Sequence, residues 1–193
     1  VYQKNNDSWL QLGNDLNGAA DNDEFGHSVD LNGDGTFLAV GTKDISHNTL
    51  IYKYDSGSWG LYGNAIENNV SYPNPIITQI SSGTSGLQLG DEQDGMTASI
   101  SSDGNFLAVG YESSNSYAGR IRVYQYSNSN WTQIGNDMIG PANYTKLGWS
   151  VSISNDGTIV AAGGIWGDGN TGDSNDNRGI VRVYQYNGTD TWN

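Results

Sequence analysis

One pattern of four anchors runs through this chain in fixed order, and repetition of that kind decides an architecture before any other signal. The first anchor is a short segment carrying tyrosine: VYQK from Val1, IYKY from Ile51, VYQY from Val123 and VYQY from Val183. A tryptophan follows each, at Trp9, Trp59, Trp131 and Trp192, and after the first three comes a glycine, Gly13, Gly63 or Gly135. The third anchor is a glycine opening an alternating run: GHSVDLN, GMTASIS or GWSVSIS. The fourth is an Asp-Gly turn entering an apolar stretch: DGTFLAVG, DGNFLAVG or DGTIVAAG.

Each anchor reads as a β-strand. In SVSIS the apolar Val151 and Ile153 alternate with Ser150, Ser152 and Ser154, the period-two signature of a pleated strand. The following Asn155-Asp156-Gly157 is a hairpin signal, because glycine supplies the positive φ that tight turns need. TIVAAG is a nearly continuous apolar run, which predicts a strand buried on both faces. The Trp segment closes the unit as an outer strand. No amphipathic helical stretch of useful length is present, so the fold class is all-β. Four short antiparallel strands per unit describe the blade of a β-propeller, which cannot bury its own faces and must stack on neighbours.

The units divide the chain as follows. Residues 1–50 hold the third and fourth strands of one blade and the first and second of the next. Residues 51–122 form a second unit with an insertion at 67–94, residues 123–182 a third, and residues 183–193 the start of a fourth. About three and a half blades are expected, and propellers close with four to eight. The chain opens at Val1 without Met. The expectation is a segment of a longer chain carrying the remaining blades, or a chain that assembles with copies of itself.

Charge narrows the partners. With 21 acidic and 8 basic residues the formal net charge is −13, which opposes binding to nucleic acid backbones and anionic membranes. No apolar run is long enough for a membrane-spanning helix. The absence of cysteine excludes disulfides and thiolate metal sites.

The first unit, FGHSVDLNGDGTFLAVGT, resembles the FG-GAP repeat of integrin-α-type propellers through Phe25, Gly26, Asp30, Asn32, Asp34, Gly35, Val40 and Gly41. The whole repeat, with WTQIGND, GWSVSISNDG and VRVYQY, is similar to propeller-like repeats of large secreted or surface proteins of marine microbes and algae. That resemblance implies a scaffold or interaction role. The integrin-type calcium loop carries a further Asp three residues past the glycine; here that position is Leu38, and units two and three keep one acid each, Asp103 and Asp156.

Several residues are candidates for a site. Asp30, Asn32 and Asp34 have the one-three-five spacing of a calcium loop, against the reading of a plain β-turn. Asp168, Asn170, Asp173 and Asp176 form an oxygen-rich, glycine-rich segment suited to Ca²⁺, against the reading of a solvated acidic loop. Trp166 at its base is a stacking platform for a sugar or peptide, or an anchor for the loop. Within the insertion, Tyr72 and Ile77 are binding candidates, PIITQI being an extra strand or a docking segment. In a propeller this insertion and the 163–179 connection emerge on one face, and insertions gathered on one face mark a binding side. N-glycosylation sequons occur at Asn6, Asn69, Asn130, Asn143 and Asn187, close to the number that 23 Asn would produce by chance.

Catalysis has little support in these residues. The histidines are His27 and His47; His27 occupies a strand position filled by Met96 and Trp149 in the other units, and reads as a packing residue. The expectation is a non-catalytic extracellular or surface module that engages a protein or glycan partner, with no certain cofactor beyond possible calcium. The alternatives are the propeller domain of a carbohydrate-active enzyme, recognised by two carboxylates converging on a central channel, and a calcium-stabilised lectin.

Overall fold

The structure is a computed structural model, and it describes residues 1–19, 21, 24–42, 49–63, 96–167 and 177–193. Strands form along the anchors, Trp192 excepted. The elements are β1 (Tyr2–Asn5), β2 (Ser8–Gln11), β3 (Ser28–Leu31), β4 (Phe37–Gly41), β5 (Thr49–Asp55), β6 (Ser58–Leu61), β7 (Met96–Ile100), β8 (Phe106–Tyr111), β9 (Arg120–Ser127), β10 (Asn130–Ile139), β11 (Leu147–Ile153), β12 (Ile159–Gly164) and β13 (Ile180–Gln185). They pair into antiparallel sheets in chain order: β1-β2, then β3-β4-β5-β6, then β7-β8-β9-β10, then β11-β12-β13. A bridge between Tyr186 and Trp192 adds a fourth position to the last sheet. The protein is therefore all-β, built on four-stranded antiparallel sheets.

Successive sheets stack through opposite faces of the same repeat positions. Phe37, Ala39 and Ile51 of one sheet meet Leu107, Val109, Tyr124 and Trp131 of the next. Ala108, Ile121 and Val123, from the other face of that second sheet, meet Val160, Ala162 and Trp192 of the third. Each unit thus presents a forward face, with Phe37 or Phe106, and a backward face, with Leu38, Leu107 or Val160. Burying side chains of this size stabilises by about 1.5–3 kcal/mol each, and the gain is made between units.

Three devices repeat at these joints. The indole N–H of three anchor tryptophans donates to a carbonyl of the preceding unit: Trp59 to Leu12 at 3.0 Å, Trp131 to Tyr62 at 3.3 Å and Trp192 to Ile134 at 3.2 Å. The next residue is the recurrent glycine, and its missing side chain is the socket. A Cβ on Gly63 would stand 3.0 Å from Trp131 Cδ1 and 2.8 Å from Tyr126 Cε2. The glycines of the second and third Asp-Gly turns lie over the preceding unit's phenylalanine, Gly104 over Phe37 and Gly157 over Phe106. A side chain of the first strand also accepts from the next unit's backbone: Asp30 Oδ2 from Ile100 N–H at 2.8 Å, and Ser99 Oγ from Ile153 N–H at 3.2 Å.

Two expectations need correction. The TIVAAG strand is buried on one face; Ile159 is exposed and Ala161 half-buried, because no described sheet covers the forward side of β12. Its counterparts β4 and β8 are almost wholly buried between neighbours. His27 is exposed rather than packed. On the same strand end Val29 and Leu31 are exposed, because β1-β2 is a two-stranded sheet with no first and second strands to cover them.

Candidate functional site

The sequence candidates divide by where they fall. Asp168, Asn170, Asp173, Asp176, Tyr72, Ile77, Asn69 and His47 lie outside the described residues. Asp30, Asn32 and Asp34 are each engaged by protein groups. Asp30 reaches forward to Ile100, as above. Asn32 is buried; its amide donates to the Ser102 carbonyl at 2.8 Å, and its Oδ1 accepts from Phe37 N–H at 2.8 Å. Asp34 Oδ1 accepts from the N–H and hydroxyl of Thr36. Each side chain therefore has a protein partner, and the turn is held as a β-turn. Among the described residues no group of three or more His, Cys, Asp or Glu is placed to hold a metal ion.

The homologous carboxylates do the same work. Asp156 Oδ1 accepts from the Ser154 hydroxyl at 2.7 Å and from Thr158 N–H at 3.0 Å. These bonds, Ser154 first, push its carboxyl down to about 2. Asp103 is also held below the ordinary value: burial raises it, but bonds from Ser101 and Asn105 outweigh that. The described sequons sit at the surface or near it. Asn6 and Asn187 occupy equivalent exposed turns after β1 and β13, Asn143 is exposed, and Asn130 is partly buried at the start of β10.

Trp166 is brought together with residues that sequence reasoning missed. The connection after β8 and the connection before β11 lie side by side. Tyr144 N–H donates to Ser116 O at 3.3 Å, Lys146 N–H to Tyr117 O at 2.8 Å, and Leu147 N–H to Ala118 O at 3.0 Å. The end of β12 joins through Trp166 N–H to Thr145 O at 3.4 Å. Five non-glycine residues of these two connections hold positive φ: Asn115, Ser116, Tyr117, Tyr144 and Lys146. Such conformations each cost about 1–3 kcal/mol and gather where a structure positions functional groups.

The side chains form one aromatic surface. The rings of Tyr117 and Tyr144 stack with centroids 5.7 Å apart and planes 8° apart. Lys146 is buried, and its Nζ lies 5.6 Å from the Tyr117 ring centre, 5.4 Å from Trp149 and 4.5 Å from Trp166. Glu112, also buried, approaches the same ammonium at 3.8 Å. Cation–π contacts are worth about 0.5–2 kcal/mol each and strengthen when desolvated. One buried cation thus buttresses three rings, while Tyr117, Tyr144, Trp149 and Trp166 all remain exposed. The sequence held one signal for this: Trp149 stands where the other units carry His27 and Met96.

A second polar cluster lies inside. Arg122 forms a bidentate pair with Asp137, at 2.8 and 3.0 Å, and Arg120 stands 3.5 Å from the same carboxylate. Burial works to raise the Asp137 carboxyl, but the guanidinium of Arg122 holds it below its ordinary value. The buried Tyr111 and Tyr124 hydroxyls meet at 3.1 Å, and burial pushes Tyr111 well up. Arg122 and Asp137 satisfy one another within the stack, as do the two tyrosine hydroxyls.

No family model matches the chain, and no curated protein matches it. Solved structures do. One titled a complex of KlAtg21 with the coiled coil of AgAtg16 superposes with a TM-score of 0.52 at 11% identity, over 86% of this chain and 41% of that one. TolB from Acinetobacter baumannii gives a TM-score of 0.38 at 13% identity, over 84% of this chain and 33% of that one. This chain spans less than half the length of either structure. The first likeness concerns fold alone.

Proposed function

We propose that this protein is part of a β-propeller, working at a cell or particle surface or outside the cell, and that it binds a glycan without catalysing a reaction on it. The observation that carries the binding role is the exposed aromatic surface of Tyr117, Tyr144, Trp149 and Trp166 around the buried Lys146. Aromatic side chains offer a large apolar face at low entropic expense, with a polar edge for hydrogen bonding. The C–H face of a pyranose stacks on such a ring, and Tyr hydroxyls and the Trp N–H can bond its hydroxyls. Contiguous exposed apolar surface of this kind on a monomer marks an interaction site. The propeller reading draws its support from the recurring joints between successive sheets.

The role as a binder fits the chemistry of the described carboxylates. Asp34, Asp103 and Asp156 cap their own turns, and Asp137 is engaged by Arg122. The test is a glycan array probed with this chain and with Tyr144→Ala and Trp166→Ala. Binding to one class of glycan is expected, and each variant should lose about tenfold in affinity, equivalent to about 1.4 kcal/mol, with an unchanged circular dichroism spectrum. Failure to bind any glycan, or binding indifferent to both substitutions, would sink the proposal.

A further inference from the structure

We infer that the aromatic surface takes an uncharged sugar chain and turns away both anionic and ammonium-bearing ones, and that Lys146, paired with Glu112, sets this choice. The inference rests on the glycan reading and names the class of glycan. The four rings are carried by residues 112–119, 140–149 and 164–167. These segments hold one acid and one base, Glu112 and Lys146. Both are buried, and they approach each other at 3.8 Å. Arg178 comes near through the bond from Gly179 N–H to Gly167 O at 2.9 Å, and it has an interaction of its own within the chain. Among the described residues, a carboxylate or sulfate on a sugar therefore meets no open cation beside the rings. Losing water without gaining a partner is costly for a charge, and the net charge of −13 repels an anion from further out.

A cation is refused for a different reason. The faces of aromatic rings attract cations, and an open aromatic surface on an acidic chain would ordinarily take one. Here Lys146 already fills that place, with its Nζ 4.5 Å from the ring centre of Trp166, 5.4 Å from Trp149 and 5.6 Å from Tyr117. Lys146 is 8% exposed, whereas the four rings are 42–60% exposed. A ligand thus meets rings whose π density is drawn inward to a buried ammonium. A second cation would be repelled by Lys146, and Glu112, the carboxylate that could offset this, is engaged by Lys146. A neutral pyranose needs neither charge. Its C–H face packs on the rings, and its hydroxyls meet the polar edges of Tyr and Trp.

Two measurements test this choice. The first is a glycan array in matched sets: a neutral oligosaccharide, the same chain sulfated, and the same chain with a free amine in place of an acetamide. The neutral member of a set should bind, and both charged members should bind about tenfold more weakly or worse. A charged member retained as well as its neutral parent overturns the inference. The second titrates tetramethylammonium chloride, against sodium chloride at equal ionic strength, and follows the aromatic proton shifts. The unaltered chain should give no saturable shift. Lys146→Ala should gain one, because the place beside Trp166 and Glu112 is vacated. If that variant loses its circular dichroism spectrum, Lys146→Ala combined with Glu112→Gln removes the buried carboxylate left alone, and the rings should still confer the gain. Saturable binding to the unaltered chain, or no gain in a folded variant, overturns the inference. An array that retains nothing sinks the glycan reading alone, and the titration then decides whether Lys146 bars cations.

Discussion

A methyl group on Gly63 would press on Trp131 and Tyr126 at 3.0 and 2.8 Å, on a backbone held at φ 79°. Both the contact and the left-handed conformation oppose any side chain, so Gly63→Ala should destabilise by about 1–3 kcal/mol. Denaturant unfolding of the pair of proteins measures it, and equal stability would show that the Trp socket contributes nothing. The sequence displayed Trp and Gly as anchors at fixed spacing. It did not display that each Gly receives the Trp of the following unit, because that pairing exists only once the sheets stack. The same limit hid Lys146. A lone lysine in PANYTKLGW reads as surface, and three rings converge on it only through two connections distant along the chain.

At the scale of the element, the Asp-Gly turns behave as one class. Their carboxylates are acceptors for the turn's own N–H and hydroxyl groups, and this holds Asp34, Asp103 and Asp156 below the ordinary carboxylate value. A folded value below the unfolded one, near 3.8, means that the contribution is full above about pH 4. It is lost as pH falls towards the folded value of about 2 for Asp156. Asp137, held down by Arg122, adds to the same window. The thermal midpoint should therefore fall between pH 4 and pH 2 by the known linkage, and Asp156→Ala should flatten part of that fall. A midpoint constant across the window would contradict the capping role. The turns themselves were legible, since Asp-Gly between alternating and apolar runs specifies a hairpin. The Arg122–Asp137 pair was not, because an irregularity between Ile134 and Met138 shifts Asp137 out of the register that alternation predicts.

At the scale of the molecule, order in the sequence became order in space. Units follow one another along the chain and stack in that sequence, so the repeat alone sufficed for the all-β class and the strand order. What it left open was the fate of the terminal faces. Strands that look alike in composition differ in burial according to whether a neighbour covers them, as β12 differs from β8. The aromatic surface was half legible for a related reason. Trp166 stood out beside a long connection, but its companions come from segments that carry no motif and meet it only in three dimensions. A net charge of −13 sets the long-range field around this surface and favours neutral or cationic ligands over anionic ones. Glycan affinity should accordingly depend little on salt if stacking dominates.

Saturation-transfer NMR reads the central claim most directly, with the chain mixed with a glycan that it retains on an array and its aromatic ring protons irradiated. Transfer to the C–H protons along one face of the sugar is expected, reduced in Trp166→Ala and in Tyr144→Ala. A bound glycan whose signals persist unchanged when both rings are removed would place the binding elsewhere and contradict the aromatic surface as the site.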